Sequence, residues 1–255
     1  PGTGGTPGDN PLWTFICIPL VSRGKELGGI CLYRTTDKGF GEEDRKHLTT
    51  FAQLAAQAID HAIDYSNATA RALTDSLTGL PNRRAFEERM DAELRRLDRS
   101  GEGLVLMMID IDRFKSVNDS YGHAIGDVML RRVAACLEQE RRGGDFVARY
   151  GGEEFVVLLA GTDAEGAKEF SRRLRHAVAA SEYDLEDGSR VGVSISIGIA
   201  ECRHGIRNAQ ELIEQADQAL YAAKRGGRNR EEVYDDTLRV RLEREPEYVT
   251  ELLNE

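Results

Sequence analysis

One stretch of this chain alternates strictly between β-branched apolar residues and small residues. From Val191 to Ile199, valine and isoleucine occupy the odd positions, while glycine and serine occupy the even ones. Successive side chains of a β-strand point to opposite faces of a sheet, so a strict period of two is typical of a strand. The chain therefore contains a sheet, around which its other periodic segments have to be arranged.

These other segments predict the rest of one domain. Strands are predicted at Leu104–Ile109 and on both sides of Gly151-Gly152, the second of them at Phe155–Leu159. Helices are predicted at Arg83–Arg99, Val128–Leu137, Ala164–Ala180 and Asn208–Lys224. The order strand, helix, strand, strand, helix, strand is the ferredoxin-like βαββαβ plan, an α+β fold with a mostly antiparallel sheet and helices on one face.

The first part of the chain has a different pattern. Residues 1–10 are rich in glycine and proline and predict a flexible lead-in, and the apolar runs Trp13–Leu20 and Gly28–Tyr33 predict a hairpin. No glycine or proline occurs from Glu42 to Thr78. In that stretch, residues spaced like a coiled-coil seam are Leu48, Phe51, Ala55, Ala58, Ala62, Tyr65, Thr69 and Ala72. Two interpretations stay open: a dimerising helix, or an amphipathic helix that packs on its own hairpin.

Composition excludes several classes of function. The net charge of −10 argues against a general binder of nucleic acid or of anionic membranes, since both need a broad basic field. No apolar run approaches the roughly 18 residues of a membrane span, and no signal-peptide pattern is present. The four cysteines are far apart without a CxxC motif, which predicts neither a zinc knuckle nor a disulfide framework and favours a reduced cytoplasmic protein.

Acidic residues follow two of the predicted strands. Asp110 and Asp112 interrupt the end of an apolar strand, and Glu153 and Glu154 come directly after the two glycines of a predicted hairpin turn. Both pairs could simply be solvated. If the strands are neighbours, however, Asp110 and one glutamate could chelate a Mg²⁺ ion, which prefers oxygen ligands.

A basic cluster stands near the end of the last predicted helix. Residues 224–230 carry four positive charges in an otherwise acidic chain. They either complement the dipole at a helix C-terminus or hold phosphate, with Lys115 as a further member of the cluster.

Five ordered motifs together resemble the GGDEF-domain diguanylate cyclases. They are DSLTGLPNRR, DIDRFK with the following Asn118-Asp119, the Gly122-His123 and Gly126-Asp127 pairs, GGEEF at Gly151–Phe155, and ALYAAKRGGRNR. The resemblance covers roughly residues 75–235, and the fold of this family is similar to that of adenylyl cyclases and polymerase palms.

The resemblance implies a role for each matching residue. Asp110, Glu153 and the Ile111 carbonyl would bind Mg²⁺ (or Mn²⁺), and Glu154 would be a second ligand or deprotonate the ribose 3′-hydroxyl. The implied substrate-binding residues are Phe114, Lys115, Asn118, Asp127, Gly151, Gly152, Lys224 and Arg228. Among them, Asn118 and Asp127 would bind the guanine edge, whereas the cations would bind the triphosphate. Arg113 departs from the family, which often has a hydrophobic residue there.

The implied reaction condenses two GTP molecules into cyclic di-GMP with release of two pyrophosphates. Because each domain would bind one GTP, a homodimer is implied. Arg142 and Asp145 resemble the RxxD product-inhibition site of the family, and Arg173 resembles its secondary contact; otherwise this is a charged turn.

The N-terminal segment resembles the last strands and helix of a GAF sensor domain, which is more than twice as long when complete. We therefore expect a partial GAF-like segment at 1–66, a signalling helix or linker at 67–78, the GGDEF domain at 79–236 and a charged tail at 237–255.

Three other functions remain to be weighed. A degenerate receptor would bind cyclic di-GMP through Arg142 and Asp145, but such relatives usually lose GGEEF residues, and none is lost here. A scaffold acting through helix dimerisation would not need the acidic and basic clusters. A hybrid synthase of mixed cyclic dinucleotides is disfavoured by Asp127, since those relatives have a small residue at that position.

Overall fold

The structure is a computed structural model that describes residues 13–35, 39–185, 187–202 and 208–244. The predicted lead-in at 1–10 and the end of the predicted tail lie outside these ranges. The chain divides into two units, Pro1–Ala70 and Arg71–Glu255, which are described separately. Within the described ranges, no helix is both long and apolar enough to cross a membrane.

The first unit contains the predicted hairpin. Strands β1 (Trp13–Ser22) and β2 (Lys25–Thr35) are antiparallel. The two residues between them, Arg23 and Gly24, have φ of 50° and 78°. Positive φ at both positions is typical of the two-residue turns whose twist matches that of the flanking strands.

A disulfide joins the two strands, so the expectation of no disulfide is wrong. Cys17 on β1 stands directly opposite Cys31 on β2, and their sulfur atoms are bonded. Direct cross-strand neighbours have Cβ atoms only about 4.5–5.5 Å apart, whatever their separation in sequence. The pairing depends on the register of the hairpin, which cysteine spacing alone does not reveal. Cys136 and Cys202 are free and buried.

Helix α1 (Glu42–Leu73) packs on this hairpin through small residues. Ala52 and Ala56 are buried with Leu20, which confirms packing on the hairpin for the first half of the helix. Most of the described seam residues lie outside this contact: Phe51 is 60% exposed and Ala58 and Ala62 are also exposed, whereas Ala55 packs partly against the hairpin cluster. The side chains of Tyr65 and Thr69, two further seam residues, are outside the described ones.

The second unit contains the predicted α+β domain. Its helices are α2 (Arg83–Ser100), α3 (Phe114–Tyr121), α4 (His123–Glu140), α5 (Ala164–Ala180), α6 (Ala209–Arg225) and α7 (Asp236–Glu243). Its strands are β3 (Leu104–Ile111), β4 (Phe146–Gly151), β5 (Glu154–Ala160), β6 (Tyr183–Asp184), β7 (Arg190–Val191), β8 (Ile195–Glu201) and β9 (Glu231–Val233).

The main sheet has the order β4-β5-β3-β8-β9. The first three neighbouring pairs are antiparallel, as the βαββαβ plan requires, and β9 adds a parallel edge. Strand β3 is central, so the residues at its end have neighbours on both sides.

Helices cover both faces of this sheet, not one face as predicted. Alternate residues of β3 enter two different cores. Val105 and Met107 pack with α4 and α5, whereas Leu106 and Met108 pack with α2 and α6. All eight residues of β3 are buried as a result, because each face needs an apolar surface.

The strand predicted from Val191 to Ile199 is divided in the structure. Its first residue, Val191, ends β7, which pairs with β6, and the ladder with β3 begins only at Ile195. Val191 still contributes to the core that contains Ile197 and Ile199. The odd positions therefore share one core along the whole stretch, while Ser196 and Gly198 are buried on the other face of β8 and the pairing partner changes within the stretch.

Candidate active site

Asp110 lies at the meeting point of three elements. On β3 it stands opposite Glu154 of β5 and opposite Ser196 of β8. Its side chain is buried, and its Oδ2 accepts a hydrogen bond from Lys224 Nζ of α6 at 2.8 Å. The predicted neighbourhood of Asp110 and the GGEEF acids is thus present in the sheet.

The turn before β5 places the two glutamates beside Asp110. Gly152 has φ of 48°, a left-handed conformation that glycine adopts without strain. The Ile111 amide donates a hydrogen bond to the Glu153 carbonyl at 3.3 Å, which joins the turn to the end of β3. The main chain therefore fixes the position of both acids relative to Asp110.

Burial and mutual repulsion shape the charges of this cluster. Burial raises the pKa of Asp110, Glu153 and Glu154 above their ordinary values, and the charge of Asp110 further raises the pKa of both glutamates. Lys224 acts in the opposite direction on all three groups. Three carboxyl groups share one nearby lysine, so a bound cation would relieve their repulsion.

The oxygen donors at this place suit Mg²⁺, which completes its shell with water and substrate, better than they suit a metal ion that takes all its ligands from protein side chains. Among the described residues, no group of three or more His, Cys, Asp or Glu side chains is arranged to hold a metal ion. Mg²⁺ commonly takes only one or two carboxylates and completes its shell with waters and substrate phosphates. Asp110 and Glu153, together with the predicted ligand at the Ile111 carbonyl, would be such a partial set.

Asp112 has a different role from Asp110, although both follow the same strand. Its carboxylate accepts hydrogen bonds from Ser194 Oγ and Ser196 Oγ, each at 2.6 Å, and from the Asn229 amide at 2.9 Å. These contacts hold the loop after α6 against β8. Asp112 is thus a structural acceptor, whereas metal binding stays a prediction for Asp110.

The residues assigned to the guanine lie on α3 and α4. Phe114 and Asn118 face Gly126 of α4, where a Cβ atom would collide with the Asn118 side chain and contact the Phe114 ring. Glycine therefore allows the two helices to approach closely. Asp127 follows Gly126 and is half-buried.

The predicted phosphate-binding cations come from two elements. Lys224 lies in the last turn of α6, and Arg228 lies in the loop that follows it. The charge of Arg228 helps lower the pKa of Asp110, so both cations act on the same carboxylate. Lys115 is exposed in the first turn of α3.

Sequence reasoning missed an ion pair behind the GGEEF turn. Arg149 Nη1 donates to both carboxylate oxygens of Asp75, at 3.0 and 3.1 Å. Its Nε and Nη2 donate to the Gly152 carbonyl at 3.0 and 2.6 Å. We call this set the Arg149 clamp. Asp75 opens the motif DSLTGLPNRR and Arg149 lies two residues before GGEEF, but nothing in their spacing indicates that the two motifs meet.

The residues of the predicted product site meet at a separate cavity of about 170 Å³. Arg142 and Asp145 come from the turn between α4 and β4, and Arg173 comes from α5. The Arg142 amide donates to Asp145 Oδ2 at 2.8 Å, and Arg173 Nε donates to Glu140 at 3.1 Å.

A comparison with known families decides which family this site belongs to. The model of the family "Diguanylate cyclase, GGDEF domain" matches residues 72–230, more than half of the chain. The chain belongs to the family of GGDEF-domain diguanylate cyclases. A GAF domain model also matches residues 3–60 and supports the partial GAF segment ahead of the GGDEF domain.

Curated relatives include diguanylate cyclases of two bacteria. Diguanylate cyclase DgcP of Pseudomonas aeruginosa is 47% identical over 64% of this chain and 24% of its own length. Diguanylate cyclase A of Treponema denticola is 35% identical over 84% of this chain and 57% of its own length. The chain thus spans between about a quarter and three-fifths of the length of these relatives.

Solved structures share the GGDEF fold. The coiled coil and GGDEF domain of DgcB from Caulobacter crescentus, in complex with cyclic di-GMP, superposes with a TM-score of 0.69 at 31% identity. The match covers 72% of this chain and 97% of that one. The palm-like α+β fold predicted from the order of elements is confirmed.

Proposed function

We propose that this chain is a diguanylate cyclase that converts two GTP molecules into cyclic di-GMP and two pyrophosphates. The observation that carries the proposal is the cluster of Asp110, Glu153 and Glu154 on adjacent strands, with Lys224 in hydrogen-bond contact. In each step, a ribose 3′-oxygen forms a bond to the α-phosphorus of the other GTP. The bond from that phosphorus to the bridging oxygen breaks, its electron pair leaves with pyrophosphate, and the hydroxyl proton passes to a base.

The acids of the cluster would have two different roles, metal binding and proton transfer. Asp110, Glu153 and the Ile111 carbonyl would hold Mg²⁺, which supplies electrostatic stabilisation of the oxygens that carry charge. Burial and the charge of Asp110 raise the pKa of Glu154. A raised pKa suits a carboxylate that accepts a proton, because a general base works best with a pKa near the working pH. We therefore assign Glu154 as the base for the 3′-hydroxyl.

The nucleotide would lie between the α3–α4 pair and the loop after α6. Asn118 and Asp127 would hydrogen-bond the guanine edge, with the Phe114 ring beneath it. Lys115, Lys224 and Arg228 would bind the triphosphate, and the absence of side chains at Gly151 and Gly152 would let it approach the main chain.

Catalysis would require a homodimer, because one domain provides one such site while the reaction joins two nucleotides. The exposed seam residues of α1 support this proposal, since Phe51, Ala58 and Ala62 form an uncovered small and apolar stripe. The dimerisation equilibrium would then control the rate of cyclic di-GMP synthesis.

Incubation of the purified protein with GTP and Mg²⁺ tests the proposed activity, and Glu153→Ala tests the metal assignment. Loss of this carboxylate should lower turnover at least 100-fold while the unfolding transition is retained. Glu214→Ala, which removes an exposed carboxylate from α6, is the matched control and should retain full turnover. Production of cyclic di-GMP by Glu153→Ala would contradict the metal assignment. Binding of cyclic di-GMP without any consumption of GTP would favour the degenerate receptor.

Arg142→Ala tests product inhibition. If cyclic di-GMP binds at Arg142, Asp145 and Arg173, the variant should continue to form product at concentrations that stop the wild type. Progress curves with added cyclic di-GMP measure this effect. An inhibition constant equal to that of the wild type would contradict the site.

A further inference from the structure

Arg175 of α5 connects that helix to the segment between α6 and β9. We call residues 226–230 the α6–β9 loop. Arg175 Nη1 donates hydrogen bonds to the Asn229 carbonyl at 2.8 Å and to Asn229 Oδ1 at 3.3 Å. Only 21% of the Arg175 side chain is exposed, so the surrounding protein restricts its position. The loop follows Lys224 and contains Arg228, two cations assigned above to the triphosphate.

The Arg175 guanidinium is itself oriented by an acid. Its Nε forms an ion pair with Glu231 Oε2 at 2.8 Å. Ser171, fully buried one turn earlier on α5, donates to the same carboxylate oxygen at 3.4 Å. Residues four apart lie on one face of a helix, so one face of α5 holds Glu231, the first residue of β9. The planar guanidinium can then present a second nitrogen to Asn229.

Asn229 is held from two sides. Its amide donates to Asp112 Oδ2 at 2.9 Å, and its carbonyl accepts the hydrogen bond from Arg175. Asp112 directly follows β3, whereas Arg175 belongs to α5. The peptide groups on both sides of this one loop residue are therefore fixed by elements that are distant in the sequence.

The loop needs such support because of its backbone conformation. Arg228 and Asn229 have φ of 62° and 47°, in the left-handed region, which asparagine tolerates better than arginine does. Residues in this region persist only where the surrounding structure determines them. The Arg228 amide donates to the Ala223 carbonyl at 3.1 Å, so α6 holds the beginning of the loop and Arg175 holds its end. These contacts together set the direction in which the Arg228 side chain leaves the main chain.

We propose that Arg175 is a positioning residue for the cations that bind the triphosphate, acting through Asn229 and not as a ligand of the nucleotide. The inference rests on the proposed cyclase activity, in which Lys224 and Arg228 bind phosphate. Without Arg175, the loop can leave its left-handed conformation, and Arg228 then binds phosphate less well. Because these cations contact GTP both before and during the reaction, the loss raises the KM for GTP more than it lowers kcat.

Steady-state kinetics of Arg175→Gln test this role, at a protein concentration where turnover per chain is constant. We expect the KM for GTP to rise about fivefold or more, with kcat within about twofold of the wild type. Arg175→Lys keeps the charge beside Glu231 but lacks the second nitrogen of the fork, so it should recover only part of the loss. The matched control is Arg172→Gln on the same helix, whose side chain is 60% exposed, and it should retain the wild-type KM.

Calorimetric titration with 3′-deoxy-GTP, and separately with GMP, gives a readout without turnover. The first nucleotide lacks the reacting hydroxyl and keeps the triphosphate, whereas GMP lacks the terminal phosphates. Arg175→Gln should lose affinity for 3′-deoxy-GTP by the factor by which its KM rises, and its affinity for GMP should stay unchanged. Urea unfolding of each variant verifies that the titrated protein is folded.

Two results would overturn the inference. One is a lower free energy of unfolding in Arg175→Gln with an unchanged KM and unchanged affinity for 3′-deoxy-GTP, which is the result of a purely structural role. The other is an equal loss of affinity for 3′-deoxy-GTP and GMP, which indicates general damage to the site. If the wild type forms no cyclic di-GMP but its affinity for 3′-deoxy-GTP still depends on Arg175, the positioning role stands and the cyclase proposal alone is wrong.

Discussion

Asp110 and Asp112 show how two identical side chains on one strand end acquire different roles. Asp110 lies beside one lysine and two other acids, so a bound cation could replace the lysine as the partner of its carboxylate. Asp112 meets two hydroxyl groups and an amide, which hold it in place. The sequence places both side chains on one face of the strand. Their difference comes from the residues around them: β8 and the loop after α6 hold Asp112 by hydrogen bonds, whereas Asp110 lies beside the lysine of α6 and the acids of the GGEEF turn.

Asp112→Asn should destabilise the domain. An amide keeps one acceptor oxygen and places a donor where the other oxygen was, so the negative charge is lost and one serine hydroxyl has to turn and accept; hydrogen bonds to a charged group are worth about 1.5–3 kcal/mol each. We expect the free energy of unfolding to fall by about 2 kcal/mol or more, measured by urea denaturation. Asp119→Asn, at an exposed position on α3, should change it by less than about 0.5 kcal/mol. Equal stability of the two variants would contradict the structural role of Asp112.

Among the elements, the connection between α1 and α2 has a specific link to the GGEEF turn. Thr74 pairs with Pro81, and the Asn82 side chain donates to the Ala72 carbonyl at the end of α1. Through Asp75, this connection reaches the Arg149 clamp and the Gly152 carbonyl. Hydrogen bonds thus run from the last turn of α1 to the residue before Glu153. A displacement of that turn should change the position of Glu153 and Glu154.

Asp75 should make the stability of the domain depend on pH. Burial alone would raise the pKa of Asp75, but hydrogen bonds from Thr78 and the contact with Arg149 outweigh it and lower the pKa below the ordinary 3.8. The contribution of Asp75 is therefore complete above pH 3.8 and is lost as the pH falls through the lower value of the folded chain. Asp75→Asn should be less stable than the wild type at pH 6, and this difference should shrink in acid. A stability difference that stays constant from pH 6 to acid would contradict this role of Asp75. The control Asp91→Asn, at an exposed position on α2, should be as stable as the wild type at every pH.

Periodicity predicted the elements better than it predicted their partners. The run Leu104–Ile109 and the alternation up to Ile199 correctly indicate buried strands, because local pattern reports burial. Neither indicates that α2 and α6 cover the second face, that β9 joins the sheet in parallel, or that Cys17 meets Cys31. These features depend on contacts between distant segments. The acids and cations of the site were found from motifs, whereas Arg149 and Asp112 needed the three-dimensional contacts.

For the whole molecule, the surface of α1 bears on assembly. The helix hides Ala52 and Ala56 under the hairpin, yet it leaves Phe51 and Leu54 exposed on the face that also carries the exposed Ala58 and Ala62. A large apolar side chain gains about 1.5–3 kcal/mol on full burial, so a second copy of the helix could cover this stripe favourably. Turnover that requires two sites would then depend on protein concentration.

Phe51→Glu should weaken the dimer by placing a charge in the stripe. We expect sedimentation velocity to show more monomer, and turnover per chain to fall at low protein concentration and recover at high concentration. Gln53→Glu adds the same charge at an exposed position outside the predicted seam, and it should leave both measurements unchanged. Equal dimerisation of the two variants would contradict the role of the stripe.

The ion pair between Lys224 and Asp110 has a consequence for the resting domain. A buried carboxylate without a partner would cost several kcal/mol, and the lysine offsets part of this penalty when no substrate is present. The Lys224 ammonium group is also the proposed phosphate ligand. A nucleotide would therefore bind Lys224 and a metal ion would bind Asp110, and each would break the ion pair between them. Neither exchange is favourable alone, because it leaves the other member unpaired. We therefore expect the metal and GTP to bind cooperatively, each raising the affinity for the other by the same factor.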